Sequence, residues 1–197
     1  MKKCCFLYVV LSILLFSCRE VGTEEYINKG INVKNLEKIL QEKLPLLGHR
    51  NWIVITDMAY PLQIASGITT VYSNKTYEQT LSSVMDMVNK FPHVYAHVYL
   101  DAEQTVLTED LCPGITAYRG ILEKELDVNE LKYLPHEELL NKLESISQLY
   151  QVLIIKTPLL LPYTSVFLEL DCNYWNAEKE ALIVNKHNEL YNISSSK

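Results

Sequence analysis

Several things are missing from this 197-residue sequence, and each absence removes a class of function. There is no G-x-G-x-x-G, no G-x-x-x-x-G-K-S/T and no G-x-S-x-G. Dinucleotide binding, P-loop phosphate binding and the serine-hydrolase elbow therefore have no motif to rest on. There is no C-x-x-C and no His-Cys cluster at zinc spacing, so no metal motif is read. Basic side chains are scarce: 18 Lys and Arg stand against 24 Asp and Glu, a formal charge of -6. Nucleic-acid binding needs clustered Lys and Arg, so nucleic acid is not expected as a partner. No internal repeat or low-complexity segment is present. The longest apolar run falls short of the roughly 20 residues that span a bilayer.

What is present begins at the amino terminus. Met1-Lys2-Lys3 is followed by residues 4–16, apolar except for Ser12. A positive start and an h-region of about 13 residues make a secretory signal. Leu15-Phe16-Ser17-Cys18 resembles the bacterial lipobox. That resemblance implies cleavage before Cys18, lipidation of its sulfur, and a membrane anchor without a transmembrane helix. The alternative is an ordinary signal with a cysteine nearby. Losing residues 1–17 removes Lys2 and Lys3 and takes the formal charge from -6 to -8. The expected product is an exported, membrane-anchored lipoprotein of the cell envelope. Two further thiols remain, Cys112 and Cys172, which either pair in an oxidising compartment or are simply buried.

The division expected is a signal at 1–17, a lipid-anchored tether at 18–34, a domain at 35–177, and a C-terminal helix and disordered tail at 178–197. Within the domain, Asn35 caps a helix over 36–47 whose stripe is Leu36, Ile39, Leu40, Leu44 and Leu47. Residues 52–55 read as a buried strand and 68–72 as a short one. Thr76 opens an amphipathic helix over 77–90, and 93–100 is a strand with His97 packed mid-strand. Residues 107–125 read as a loop region with one short helix. A short strand at 131–134 precedes Pro135, which opens a helix with stripe Leu140, Leu143 and Ile146. Residues 151–155 and 165–170 are strands apolar enough to be buried on both faces. A tail helix covers 177–190. This alternation gives one α/β domain with helices on both faces of a mainly parallel or mixed sheet.

The stretch 47–61, LGHRNWIVITDMAYP, organises the chain. His49 stands in the turn before a buried strand, and Asp57 stands just after it. Asp57 occupies the position where ligands gather in open α/β sheets, beyond the carboxyl end of a strand. His49 is at the other end, on the order of 20 Å away by strand rise. Three readings follow. The two serve different sites, the segment is bent, or a neighbouring subunit supplies one of them.

Three islands carry a resemblance: Gly48-His49 with Asp57-Met58-Ala59-Tyr60-Pro61; Pro135-His136-Glu137; and Lys156-Thr157 with Pro162-Tyr163-Thr164-Ser165. Their order resembles the D-ribose pyranase and L-fucose mutarotase (RbsD/FucU) family over residues 36–170. That family has a Gly-His turn, an apolar strand, then Asp-Ala-x-x-Pro, with Met58 replacing the Ala here. A second His precedes a helix, and the ending is Arg/Lys-Ser/Thr, then Pro-Tyr-x-Asn. This chain has Asn51 where the family has an acid and Ser165 where it has the final Asn. The resemblance implies a single three-layer α/β/α domain and a monosaccharide mutarotase or pyranase, an isomerase. It implies His49 as catalytic acid/base, Asp57 binding sugar hydroxyls or orienting the His, and His136, Tyr163 and Ser165 binding a monosaccharide. It also implies a homo-oligomer with sites at subunit interfaces, needing no cofactor or metal. The alternatives are a non-catalytic sugar-binding lipoprotein on the same fold, and a structural or interaction domain.

Overall fold

Apolar strands flanked by one-sided helices leave little choice of architecture: each sheet face must be covered. The computed structural model describes residues 35–194. The signal, lipidation site and tether, and the tail at 195–197, lie outside the described residues. The strands are β1 Trp52–Thr56, β2 Ile68–Tyr72, β3 Val94–Asp101, β4 Lys132–Leu134, β5 Val152–Lys156 and β6 Val166–Cys172. The helices are α1 Leu36–Lys43, α2 Tyr77–Lys90, α3 Ile115–Glu125, α4 His136–Ser147 and α5 Ala177–Ser194. The sheet runs β2-β5-β1-β6-β3-β4. Its pairs are parallel except where β6 meets β1 and β3. The fold is thus mixed α/β in three layers, as the alternation of elements implies.

β1 shows why. WIVIT is buried along its whole length. Successive side chains of a strand point to opposite faces. Ile53 and Ile55 join the core formed with α1, α2 and α3, while Trp52 and Val54 join Leu139 and Leu143 of α4 on the other face. Burying each such aliphatic side chain stabilises the fold by about 1.5–3 kcal/mol. Local signals agree with this packing. The Asn35 side chain caps α1, and Thr76 and Gln79 form a full capping box on α2. Pro45 cannot extend an α-helix, and α1 tightens into a 3-10 turn over Leu44–Leu46. The Leu36-to-Leu47 stripe is buried as expected.

Three expectations, on α3, α4 and α5, are corrected. The 107–125 region holds an 11-residue helix, α3. Gly114, read as loop, is its N-cap at φ 100°. The Glu109 carboxylate accepts from the Gly114 and Thr116 N–H groups at 2.6 and 3.0 Å. These bonds lower the Glu109 pKa. On α4 the innermost residues are Leu139, Leu143 and Ser147, one position round from the expected stripe; Leu140 and Ile146 flank them. Cys112 and Cys172 are both free. Cys172 ends β6, whereas Cys112 follows the opposite, carboxyl end of β3, so they lie at opposite edges of the sheet. α5 extends further than expected, to Ser194, with exposed side chains through Tyr191. No helix among the described residues is long and apolar enough to cross a membrane.

Candidate functional site

Because β6 alone is reversed, its start lies among the carboxyl ends of the other five strands. Ile55 and Leu100 both pair with Val166. The carboxyl edge therefore gathers Asp57 after β1, Asp101 at the end of β3, His136 after β4, Thr157 after β5, and Tyr163 and Ser165 before β6. Four of the five residues expected to handle sugar come to this edge. His49 does not.

His136 is the first residue of α4, where backbone N–H groups lack helical partners. Its N–H donates to both carboxylate oxygens of Glu103 at 3.1 Å. Its Nδ1 lies 2.8 Å from Asp101 Oδ1. Asp101 is 0% exposed. Burial raises its pKa, outweighing the lowering pull of His136 and of the Ser165 N–H. Its second oxygen, Oδ2, is buried without a hydrogen-bond partner. A carboxylate on Nδ1 fixes the ring and directs Nε2 away from itself. The Tyr163 ring meets the His136 ring edge-on, with centroids 5.4 Å apart and planes at 88°.

Tyr163 has a left-handed backbone, φ 56°, unusual for a bulky residue. Such a conformation costs on the order of 1–3 kcal/mol and persists only where the surroundings impose it. Two buried phenols do so here: Tyr77 and Tyr118 donate to the Thr164 carbonyl at 2.8 and 3.1 Å. Burial holds both hydroxyls well above the ordinary tyrosine pKa, so they stay protonated donors. Thr164 also donates through Oγ1 to Leu161 O at 2.7 Å. The exposed Tyr163 ring is therefore aimed by a rigid floor. Ser165 is 2% exposed, and its N–H exerts a lowering pull on the Asp101 pKa.

Asp57 sits in an Asx turn, its Oδ1 accepting from Ala59 N–H at 2.6 Å. Lys156 Nζ donates to Tyr60 O at 2.5 Å. Thr157 donates both N–H and Oγ1 to Thr56 O, at 2.9 and 2.8 Å, clamping the ends of β1 and β5 together. The Tyr60 hydroxyl is pushed up to about 12, chiefly by burial.

His49 lies at the amino edge. Its Nδ1 is 2.6 Å from Asp171 Oδ1, and Arg50 Nε donates to its Nε2 at 3.0 Å. Arg50 has φ 72° and donates from Nη1 to Tyr150 OH at 2.9 Å. His97 is not a packed core histidine: its ring is a third exposed and sits beside Asp171 and Tyr95. The structure thus keeps His49 and Asp57 at opposite ends of β1 within one chain, and the bent-segment reading falls. Among the described residues, no group of three or more His, Cys, Asp or Glu side chains is placed to hold a metal ion.

Sequence reasoning missed Asp101 and Asp171. Asp101 ends a strand as Asp57 does, and that equivalence was a usable signal. Asp171 carried none, since only the reversed direction of β6 brings it to the Gly-His turn.

No family model matches the sequence, and no curated protein does. Solved structures of similar shape exist. RbsD of Bacillus subtilis complexed with D-ribose is 23% identical, with TM-score 0.48, over 72% of this chain and 95% of that one. A fucose mutarotase from Streptococcus pneumoniae in complex with L-fucose is 20% identical, with TM-score 0.47, over 71% and 95%. FucU from Bifidobacterium longum is 19% identical, with TM-score 0.46, over 68% and 92%.

Proposed function

We propose that this chain is a monosaccharide mutarotase or pyranase, acting on a ribose- or fucose-like sugar. One observation carries the reading: a His136–Asp101 pair beside an aimed, exposed Tyr163, on the strand edge that also bears Asp57. Exchange of anomers or ring forms asks for little. A base takes the proton of the anomeric hydroxyl, the C1–ring oxygen bond breaks, and an acid protonates the ring oxygen, giving the open-chain aldehyde. Reclosure on the other face, or through another hydroxyl, returns both protons. An imidazole can serve either role near neutral pH. His49 is the proposed acid/base. Asp57, His136 and Tyr163 bind the sugar, and Ser165 stands where the matching motif has an amide.

A catalytic group must come within about 3 Å of its proton, or act through one water. His49 cannot meet His136 within one chain, so the proposal places His49 of one copy against the carboxyl edge of the next. A second reading has one observation in its favour. The Arg50 guanidinium occupies His49 Nε2, which suits a sugar-binding protein without catalysis. Anchoring through Cys18 in the cell envelope belongs to the proposal too; palmitate labelling that persists in Cys18→Ser would remove it.

The test is anomer exchange by NMR, starting with D-ribose and L-fucose. The His49→Ala and His136→Ala proteins are each expected to be slow. Reassembled as an equal mixture, they should recover about a quarter of wild-type exchange, because a quarter of neighbouring pairs supply one intact half each. Wild-type exchange no faster than buffer with every sugar tried would refute catalysis, and sugar binding without exchange would establish the second reading.

A further inference from the structure

We infer that Asp171 is the positioning residue of His49, fixing its tautomer and ring orientation so that Nε2 is the nitrogen that takes up protons. The inference deepens the proposed function and rests on it for its catalytic consequence, but not for its structural one.

The amino-edge turn could have held His49 Nδ1 through its own residues, and it does not. Asn51, two positions on, is used for the backbone: its Oδ1 accepts from Gly48 N–H at 2.7 Å and its Nδ2 donates to Gln151 O at 3.3 Å. The group on His49 Nδ1 comes instead from β6. Asp171 Oδ1 is 2.6 Å from Nδ1, and the same oxygen accepts from Cys172 N–H at 2.7 Å. Asp171 Oδ2 accepts from Tyr95 OH at 3.3 Å and lies 3.5 Å from His97 Nε2. Four groups from three parts of the chain thus converge on one carboxylate. Burial pushes its pKa up, but the Cys172 N–H, His49 and Tyr95 outweigh that, and the net effect keeps it lowered and ionised.

An ionised carboxylate only accepts, so Nδ1 must carry a proton. Nε2 is then the bare nitrogen of the neutral ring, and the structure shows it accepting from Arg50 Nε. The two contacts agree on one tautomer. The charged and titratable groups around His49 are Arg50 on its own turn, Tyr150 reached through Arg50, Asp171 on β6, and Tyr95 and His97 on β3. Tyr95 and His97 do not replace Asp171, because a phenol or a second imidazole does not demand a proton on Nδ1; Arg50 favours the same tautomer from the Nε2 side, so its share is removed with Arg50→Ala. Held this way, Nε2 faces outward for a sugar hydroxyl once the guanidinium moves aside. Asp171 need not touch substrate.

The experiment is long-range proton–nitrogen NMR of His49 in the full chain, paired with exchange kinetics for the Asp171→Ala, Asp171→Asn and Asp171→Glu proteins. Asp171 is a third exposed, so these changes leave the core intact. Wild type should show neutral His49 protonated on Nδ1. In an Arg50→Ala background, which removes the donor on Nε2, Asp171→Ala should release it to the Nε2–H form that a free imidazole favours. Its kcat should fall on the order of 10- to 100-fold at unchanged KM, with partial recovery in Asp171→Glu. Asp171→Asn, nearly isosteric, separates loss of charge from loss of packing. An Nδ1–H tautomer that persists in Asp171→Ala on the Arg50→Ala background overturns the inference, as does an unchanged kcat in a protein whose tautomer has changed. If wild type shows no exchange at all, the mutarotase reading fails and the tautomer comparison alone still decides for or against Asp171.

Discussion

Asp101→Asn should make the protein more stable at neutral pH and less active. Asp101 is 0% exposed, and its Oδ2 is buried with no partner. Burial raises its pKa above the usual carboxylate value. The native state therefore favours the neutral acid. A raised native pKa contributes stability that is fully present below the unfolded pKa of about 3.9, and lost as pH rises through the native value. At pH 7 wild type bears the cost of a buried, half-satisfied charge. The Asp101→Asn protein does not, and its amide oxygen still accepts from His136 Nδ1. Its Nδ2 still sits unpartnered at the Oδ2 position, so the gain is only the difference between desolvating a charge and desolvating a neutral amide, on the order of 1 kcal/mol or roughly 2–4 °C in Tm for a domain of this size. Opposing this, His136 loses a charged partner. Its ring is 26% exposed and can be neutral, which limits that cost. Melting curves at pH 4 and pH 7 provide the assay. The Tm of Asp101→Asn relative to wild type should rise between them, while anomer exchange slows because His136 is no longer charge-anchored. A relative Tm that falls as pH rises would refute the reasoning, since it would make the ionised carboxylate the stabilising species.

Other perturbations follow from contacts of the same kind. Gly67→Ala would place a Cβ 2.0 Å from Ser147 O and 2.7 Å from Tyr150 O. Backbone cannot yield as a side chain does, so a loss of more than about 3 kcal/mol is expected by denaturant unfolding. Arg50→Ala removes the donor on His49 Nε2 and should raise kcat/KM a few-fold under the proposed function; a fall would mean that the guanidinium itself binds the sugar.

How much of this was legible in the sequence depends on the range of the interaction that decides each feature. α2 was read to its exact ends because Thr76 and Gln79 cap it and one face is apolar. β2 was likewise read to its ends. α3 was under-read because its cap comes from Glu109, five residues ahead of Gly114, and Gly120 dilutes the helical pattern. The α4 stripe was misplaced by one position because Leu139 and Leu140 are equally apolar, and only the facing β1 residues distinguish them. At the candidate site, Asp57 and His136 could be placed from their strand and helix ends. The residues that hold the two histidines could not. Asp101 is 35 positions from His136 and Asp171 is 122 from His49, so each pair exists only after the sheet is assembled.

The reversal of β6 is what sets a second histidine–aspartate pair, His49–Asp171, at the edge opposite the His136–Asp101 pair that parallel β3 and β4 form. Had β6 run parallel to its neighbours, its amino end would have stood at the other edge, away from Asp101, and its carboxyl end away from the Gly-His turn. β1 keeps the two edges about 17 Å apart at ordinary strand rise, wider than a single sugar ring. Neither end can borrow from the other within a chain. Both edges also expose apolar side chains: Leu160 beside the carboxyl edge, and Leu46 and Leu149 beside the amino edge. Under the proposed function the two edges meet head to tail between copies, and such contacts close into rings when the rotation permits. The proposed chemistry therefore depends on a contact between copies as much as on any side chain. If copies meet through another surface, His49 and His136 remain two separate pairs, and the carboxyl edge binds sugar without the base that would open it.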